Sequence, residues 1–242
     1  MRVKQRFIRS GDMLELMHFE LPLAVGLSPL NPNGRNGNTT EEQRKENRIR
    51  TLQRNTTRFW RLYLANKNKN KQKDKFMTIT FRTLPPTIKE CDDELRKFIK
   101  RLSRFTKTEI QYQGIRELQL ENDRNGNHYH IIFYGLPFVP HSKLLELWCK
   151  CNPYQDESKP SGINIKAIDD GYNEITNYLT SYLLKEIIEN DFIHGHRVII
   201  ESKGLRKPIK HDFEDVIHLP QVDEIEKAVS FIDRKITYYR MR

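Results

Sequence analysis

Two histidines one residue apart, His128 and His130, open the apolar run His128-Tyr129-His130-Ile131-Ile132-Phe133-Tyr134. Alternate side chains of a strand share a face, so the two imidazoles point one way and Tyr129 the other. Neutral imidazoles about two strand rises apart can both reach one cation. A carboxylate on the neighbouring strand would add a third ligand, and GIRELQLE, residues 114–121, offers Glu117, Gln119 and Glu121 alternating onto one face. A one-residue slip in pairing would move the whole set to the other face, so register decides. Glu117, set opposite His130 across a turn longer than two residues, is the expected third ligand, with Glu121 the second choice. Two imidazoles and one carboxylate leave coordination positions open, which suits a divalent ion that must also hold water and a phosphate oxygen. Imidazole softness favours Mn²⁺ over Mg²⁺ at equal concentration, whereas Mg²⁺ is the more abundant ion in cells. A histidine pair at the solvated rim of a strand is the plainer alternative.

A second group of chemistry-bearing residues lies on NYLTSYLLKE. Tyr178 and Tyr182 are four residues apart and Lys185 follows three later, so on a helix all three occupy a narrow sector of one face. The other face, with Ile175, Leu179, Leu183, Leu184 and Ile187, is apolar enough to supply the buried stripe. That leaves the phenols free to face something else. Tyrosine, with a pKa of ~10, is a weak nucleophile at neutral pH. A metal polarising a phosphate and a lysine steadying developing charge would activate it. Aromatic packing with a snorkelling lysine is the plainer reading of the same spacing.

The elements that position these residues follow from periodicity. FMTITF, 76–81, is a β-branched and aromatic strand, and residues 88–104 repeat apolar groups at helical spacing. GIRELQLE pairs with HYHIIFYG across the Asn-Gly-containing turn 122–127. A short helix begins near Ser142, GINIKAI (162–168) is a strand, and residues 171–187 are a helix. The order β-α-β-β-α-β predicts an α+β fold: the ferredoxin-like (RRM-like) split βαβ arrangement, one central antiparallel sheet with helices on one face. Upstream, residues 1–25 read as two strands split at Ser10-Gly11-Asp12, and 26–40 as a turn-rich loop. A strongly basic helix runs from Thr40 to about Asn66, and its cations either sit in water or lie along phosphates. Downstream, SKGLRKPIK (202–210) reads as a basic loop, 222–232 as helical, and KITYYRMR as a strand. The expected organisation is an N-terminal extension (1–70), a catalytic domain (74–190) and a C-terminal extension (191–242).

Composition narrows the partners. In 242 residues the net charge is +10, which favours a polyanion such as nucleic acid. No apolar run approaches the roughly 18 residues that cross a bilayer, and no sustained apolar segment follows the charged start, so neither a membrane nor a secretory address is expected. Three cysteines, Cys91, Cys149 and Cys151, make neither a disulfide framework nor a four-ligand zinc site, which fits a cytoplasmic protein.

FMTITF, then His-x-His, then Tyr182-x-x-Lys185 resemble the three motifs of the HUH endonucleases, the rolling-circle replication initiators of small phages, plasmids and single-stranded DNA viruses. Tyr178-x-x-x-Tyr182 is similar to the paired tyrosines of the phage initiators. Those relatives usually carry lysine three residues after the first tyrosine, where this chain has Ser181, which makes Tyr182 the safer nucleophile. The resemblance implies metal-dependent, site-specific nicking and joining of single-stranded origin DNA through a 5′-phosphotyrosine, in the cytoplasm of a host cell. It implies Tyr182 as nucleophile, Tyr178 as a second one, Lys185 as the phosphate-orienting cation, and a Mn²⁺ or Mg²⁺ ion on His128, His130 and Glu117. The basic segment bearing Lys203, Arg206 and Lys207 is similar to one in those replication proteins and supplies candidate DNA contacts. No P-loop accompanies the motifs, so a host helicase and DNA polymerase would be the partners. A mobilisation relaxase or single-strand transposase of the same chemistry, and a non-catalytic nucleic-acid-binding protein, are the alternatives.

Overall fold

The computed structural model describes residues 2–24, 40–68, 73–81, 87–119, 126–151, 162–168, 199–215, 226–231 and 236–241. They form an α+β protein with two five-stranded antiparallel sheets. The chain divides into two compact units: Met1–Asn47, Arg61–Asn66 and Arg206–Arg242 in one, Arg48–Trp60 and Lys67–Leu205 in the other.

In the first unit β1 (Arg2–Ser10) and β2 (Met13–Ala24) form a hairpin. Gly11 turns it at φ 65°, and a Cβ there would lie 2.3 Å from the Leu64 carbonyl oxygen, so the turn accepts only glycine. Helix α1 (Glu41–Asn66) starts on a reciprocal cap: Thr40 Oγ1 accepts from Gln43 N–H, and Thr40 N–H donates to Gln43 Oε1. Three strands from the far end of the chain, β8 (Ile209–Phe213), β9 (Glu226–Phe231) and β10 (Ile236–Met241), complete the sheet in the order β8-β1-β2-β10-β9. The outermost of them, β9, corrects the helical expectation for 222–232. Its Glu-Lys-Ala start favours helix locally, but pairing with β10 along Phe231↔Ile236 and Ala228↔Tyr238 overrides that propensity. Likewise the basic loop expected over 202–210 is shorter, because Ile209 and Lys210 already belong to β8 and pair with Arg9 and Ile8. The charge pattern hid that edge strand.

The second unit follows the predicted order. Strand β3 (Lys75–Thr80), helix α2 (Ile88–Thr106), strands β4 (Gln111–Gln119) and β5 (Gly126–Tyr134), helix α3 (His141–Cys149) and strand β6 (Ile163–Ala167) build a sheet ordered β6-β3-β5-β4. That is the ferredoxin-like split βαβ arrangement, and β7 (Ile199–Glu201) extends it beyond β4. Alternation divides the sheet. Met77 and Ile79 of β3 with Tyr129, Ile131 and Phe133 of β5 are buried in one core with Leu95, Phe98, Leu102, Leu144 and Trp148 of the helices. The opposite face carries Thr78, Thr80, His128 and His130. Helix α2 begins on a full capping box, Thr87 with Glu90, and stops at Lys107 in the left-handed conformation. The expected loop over 26–39 and the helix expected over 171–187 lie outside the described residues.

Candidate metal centre

Adjacent strands put three potential ligands on one face of the second sheet. In the register of β4 against β5, Glu117 pairs with His128 and Ile115 with His130. Glu117 is therefore not opposite His130, as the hairpin reading had it, but diagonal to it. The diagonal is within reach of a glutamate side chain, and Glu117 Oε2 lies 2.6 Å from His130 Nε2. Both groups are buried, at 7% and 4% side-chain exposure. The two imidazole planes are parallel within 9°, their centroids 6.3 Å apart, and the Phe76 ring continues the row 6.0 Å beyond His130.

Strand β3 supplies a second layer. Thr78 Oγ1 sits 3.1 Å from His130 Nδ1, and Thr80 Oγ1 sits 3.0 Å from His128 Nδ1. A hydroxyl both donates and accepts, so each threonine can hold its histidine in either tautomer. His130 can then give Nε2 to Glu117 as N–H donor or to a cation as a lone pair, without losing its partner on the other nitrogen. Burial lowers the pKa of His128 below the ordinary imidazole value. The Glu117 carboxylate opposes that shift and the neighbouring His130 adds to it. His128 is therefore neutral at pH 7, the form that ligates metals.

Sequence reasoning singled out neither threonine, although Thr-x-Thr in FMTITF repeats the two-residue period of His-x-His on the adjacent strand. It also passed over Gly114. A Cβ on Gly114 would stand 2.4 Å from the His130 carbonyl oxygen, so β4 can lie this close to β5 only with glycine there.

The donor set fits a divalent cation in kind, with two imidazoles, one carboxylate and hydroxyl groups fixing the ring orientations. Among the described residues no three His, Cys, Asp or Glu side chains stand arranged around a common point, and Glu117 is engaged with His130. A bound ion would take over that hydrogen bond.

The structure brings Glu117, His128 and His130 together. Tyr178, Tyr182, Lys185 and Glu121 lie outside the described residues. Lys203, Arg206 and Lys207 are exposed on the loop 202–208, between β7 and β8. Leu205 is buried in that loop, and Asn66 clamps the Arg206 backbone, accepting from its N–H at 2.9 Å and donating to its carbonyl at 2.9 Å. Among the described residues no helix is long and apolar enough to cross a membrane.

An uncharacterized 26.8 kDa protein of Thermoproteus tenax virus 1 (strain KRA1) is 32% identical over 115 residues, covering 40% of this chain and 47% of that protein. The chain thus spans about half the length of this relative. The crystal structure of the hypothetical protein ORF119 from Sulfolobus islandicus rod-shaped virus 1 aligns with 50% of this chain and 88% of that one, at 19% identity and a TM-score of 0.33. Residues 74–187, the segment built around the histidine strand, match the model of a family of replication-associated proteins, the ORF2 type, which points to a role in replication.

Proposed function

We propose that this protein initiates rolling-circle replication by nicking and rejoining single-stranded DNA at an origin. The observation that carries the proposal is the Glu117–His128–His130 group, with both imidazoles oriented by threonines of β3 on the face of a ferredoxin-like sheet opposite α2 and α3. It lies inside the segment that matches a replication-associated family. A divalent ion held by these three residues, Mn²⁺ or Mg²⁺, would neutralise phosphate charge and draw the scissile linkage to the sheet.

The chain's own groups supply the rest. Tyr182 Oη attacks phosphorus, the Oη–P bond forms, and the P–O3′ bond breaks. The phenolic proton is transferred to the departing 3′ oxygen, leaving a 5′-phosphotyrosine and a free 3′-hydroxyl. Lys185 orients the phosphate or steadies the leaving oxygen. Tyr178 takes the second transfer that closes the displaced circle. The covalent link conserves the energy of the phosphodiester, so rejoining needs no ATP. Replication beyond the nick then calls on a host helicase and polymerase, with the host cytoplasm as the setting.

The test is a denaturant-resistant protein–DNA adduct formed with Mn²⁺ and single-stranded DNA. Tyr182→Phe abolishes it, and Tyr178→Phe leaves the first cleavage intact. His128→Ala and His130→Ala each lose Mn²⁺ binding, read by titration, and lose the adduct while remaining folded. An adduct that survives Tyr182→Phe refutes the assignment of the nucleophile. Tight DNA binding without any adduct from the unaltered protein replaces the enzyme with a binding module.

A further inference from the structure

Helix α2 turns one face to the core and the other to solvent. Cys91, Leu95, Phe98 and Leu102 are its buried stripe. At about 100° per residue, Lys100 points within roughly 20–40° of directly away from that stripe, Arg96 and Arg104 fall within about 40° of Lys100, and Lys107 follows at the C-cap. All four are exposed. Arg96 pairs with Asp93 at 2.9 Å. Lys100, Arg104 and Lys107 have no ion-pair or hydrogen-bond partner among the described residues. The helix macrodipole favours cations only within its last turn, which accounts for Arg104 and Lys107 but not for Arg96 or Lys100.

The chemistry of the patch selects its partner. A protein partner would need an apolar centre, but Phe105, the exposed large apolar side chain of α2, lies about 140° round the helix from Lys100, beside α3, where Lys143 Nζ sits 5.3 Å from its ring. A single strand would need open aromatic platforms for its bases. This face carries no aromatic side chain. What remains is a row of cations about 6 Å apart over a helix segment of roughly 16 Å, facing outward from a protein of net charge +10. Duplex DNA carries one charge per ~1.7 Å of axis, so every cation in such a row can meet a phosphate.

We infer that the outer face of α2, on Lys100, Arg104 and Lys107, binds the backbone of duplex DNA. This face lies on the α2–α3 side of the second unit's sheet, opposite the face that carries His128 and His130. The contact is therefore distinct from any strand held at the histidine site. It would dock the double-stranded flank of an origin and leave the single-stranded segment to the other face. The inference does not depend on nicking chemistry.

Binding of a short random-sequence duplex, a short single strand and polyglutamate to the full chain is measured by fluorescence anisotropy across a salt series. Neutralising Lys100→Gln, Arg104→Gln and Lys107→Gln together should lower the slope of log K against log salt by about 0.9 for each lost phosphate contact, about 2.7 in all. Between about 50 and 200 mM salt, wild-type duplex affinity then falls about 40-fold further than that of the variant. The charge-preserving set Lys100→Arg, Arg104→Lys and Lys107→Arg should keep the wild-type slope. An unchanged slope in the neutral variant overturns the inference. So does a loss of equal size on the single strand or on polyglutamate, and so does loss in the charge-preserving set.

Discussion

Replacing Thr78 by valine keeps the shape of the side chain and removes one hydroxyl, which makes it a sharp probe of the histidine layer. In the native protein that hydroxyl is 3.1 Å from His130 Nδ1, and His130 is 3% exposed. Water cannot replace a partner at such a position. An unpaired buried polar atom costs about 1–3 kcal/mol. Loss of an outer hydrogen bond to a metal-ligating histidine typically lowers metal affinity about 10–100-fold. At 1.36 kcal/mol per tenfold, that is about 1.4–2.7 kcal/mol, the same range reached from the desolvation side. Thr80→Val is the internal control. Its partner His128 is half-buried and can recruit solvent, so the cost there should stay below about 1 kcal/mol. Mn²⁺ titration followed by electron paramagnetic resonance, with urea unfolding of the metal-free protein alongside, reads both quantities. Thr78→Val should weaken Mn²⁺ binding about 10–100-fold and Thr80→Val by less than about tenfold. Equal losses, or a larger loss from Thr80→Val, would refute the argument that burial sets the worth of these hydroxyls.

Two further outcomes follow from one close contact in each unit. Gly114→Ala must move β4 away from β5, since its Cβ would otherwise stand 2.4 Å from the His130 carbonyl. It should cost more than about 2 kcal/mol in urea unfolding and lose Mn²⁺ binding, in keeping with the large effects of strain at tightly apposed backbone. In the first unit, Arg6 Nε lies 2.6 Å from Asp212 Oδ1 and, with Lys210, holds the carboxyl below its ordinary pKa. A depressed folded pKa stabilises the protein above the unfolded value of ~3.9 and ceases to do so as pH falls through the folded one. Asp212→Asn should therefore flatten the acid limb of the stability curve, and the wild-type advantage, read by unfolding at successive pH values, should vanish at the acid end.

The parts legible in the sequence were those that a local period reports. The apolar spacing of α2, the alternation of β3 and β5 and the order of elements all come through, because each is fixed by which side chains must leave water. The pairing of Glu117 with His130 was also within reach, but for a different geometric reason than expected. The carboxylate reaches diagonally from a position opposite His128. Register depends on where the turn falls, and an Asn-Gly signal locates a turn without fixing its length. The first unit's sheet was harder to see. Its strands come from both ends of the chain, and Glu226–Phe231 carries helix-favouring residues that only the partner strand β10 overrules. The threonines behind the histidines were missed because a Thr-x-Thr strand is ordinary until one knows which strand lies beside it.

Strand β5 has to serve a core and a site at once, and that double duty explains why its register is secure. Tyr129, Ile131 and Phe133 are fully buried on the helix side. A slip of one residue would exchange the two faces, setting these three beside Glu117 and driving His128 and His130 among Leu95, Phe98 and Trp148. Tyr129 adds a directional constraint. Its hydroxyl donates to Asp92 Oδ1 at 2.7 Å, and the Arg116 guanidinium, 4% exposed, pairs with the same carboxylate. Only the odd-numbered face of β5 can deliver a phenol to that pair. The hydrophobic face of the strand thus positions the histidines opposite Thr78, Thr80 and Glu117, and the core fixes their spacing along the strand.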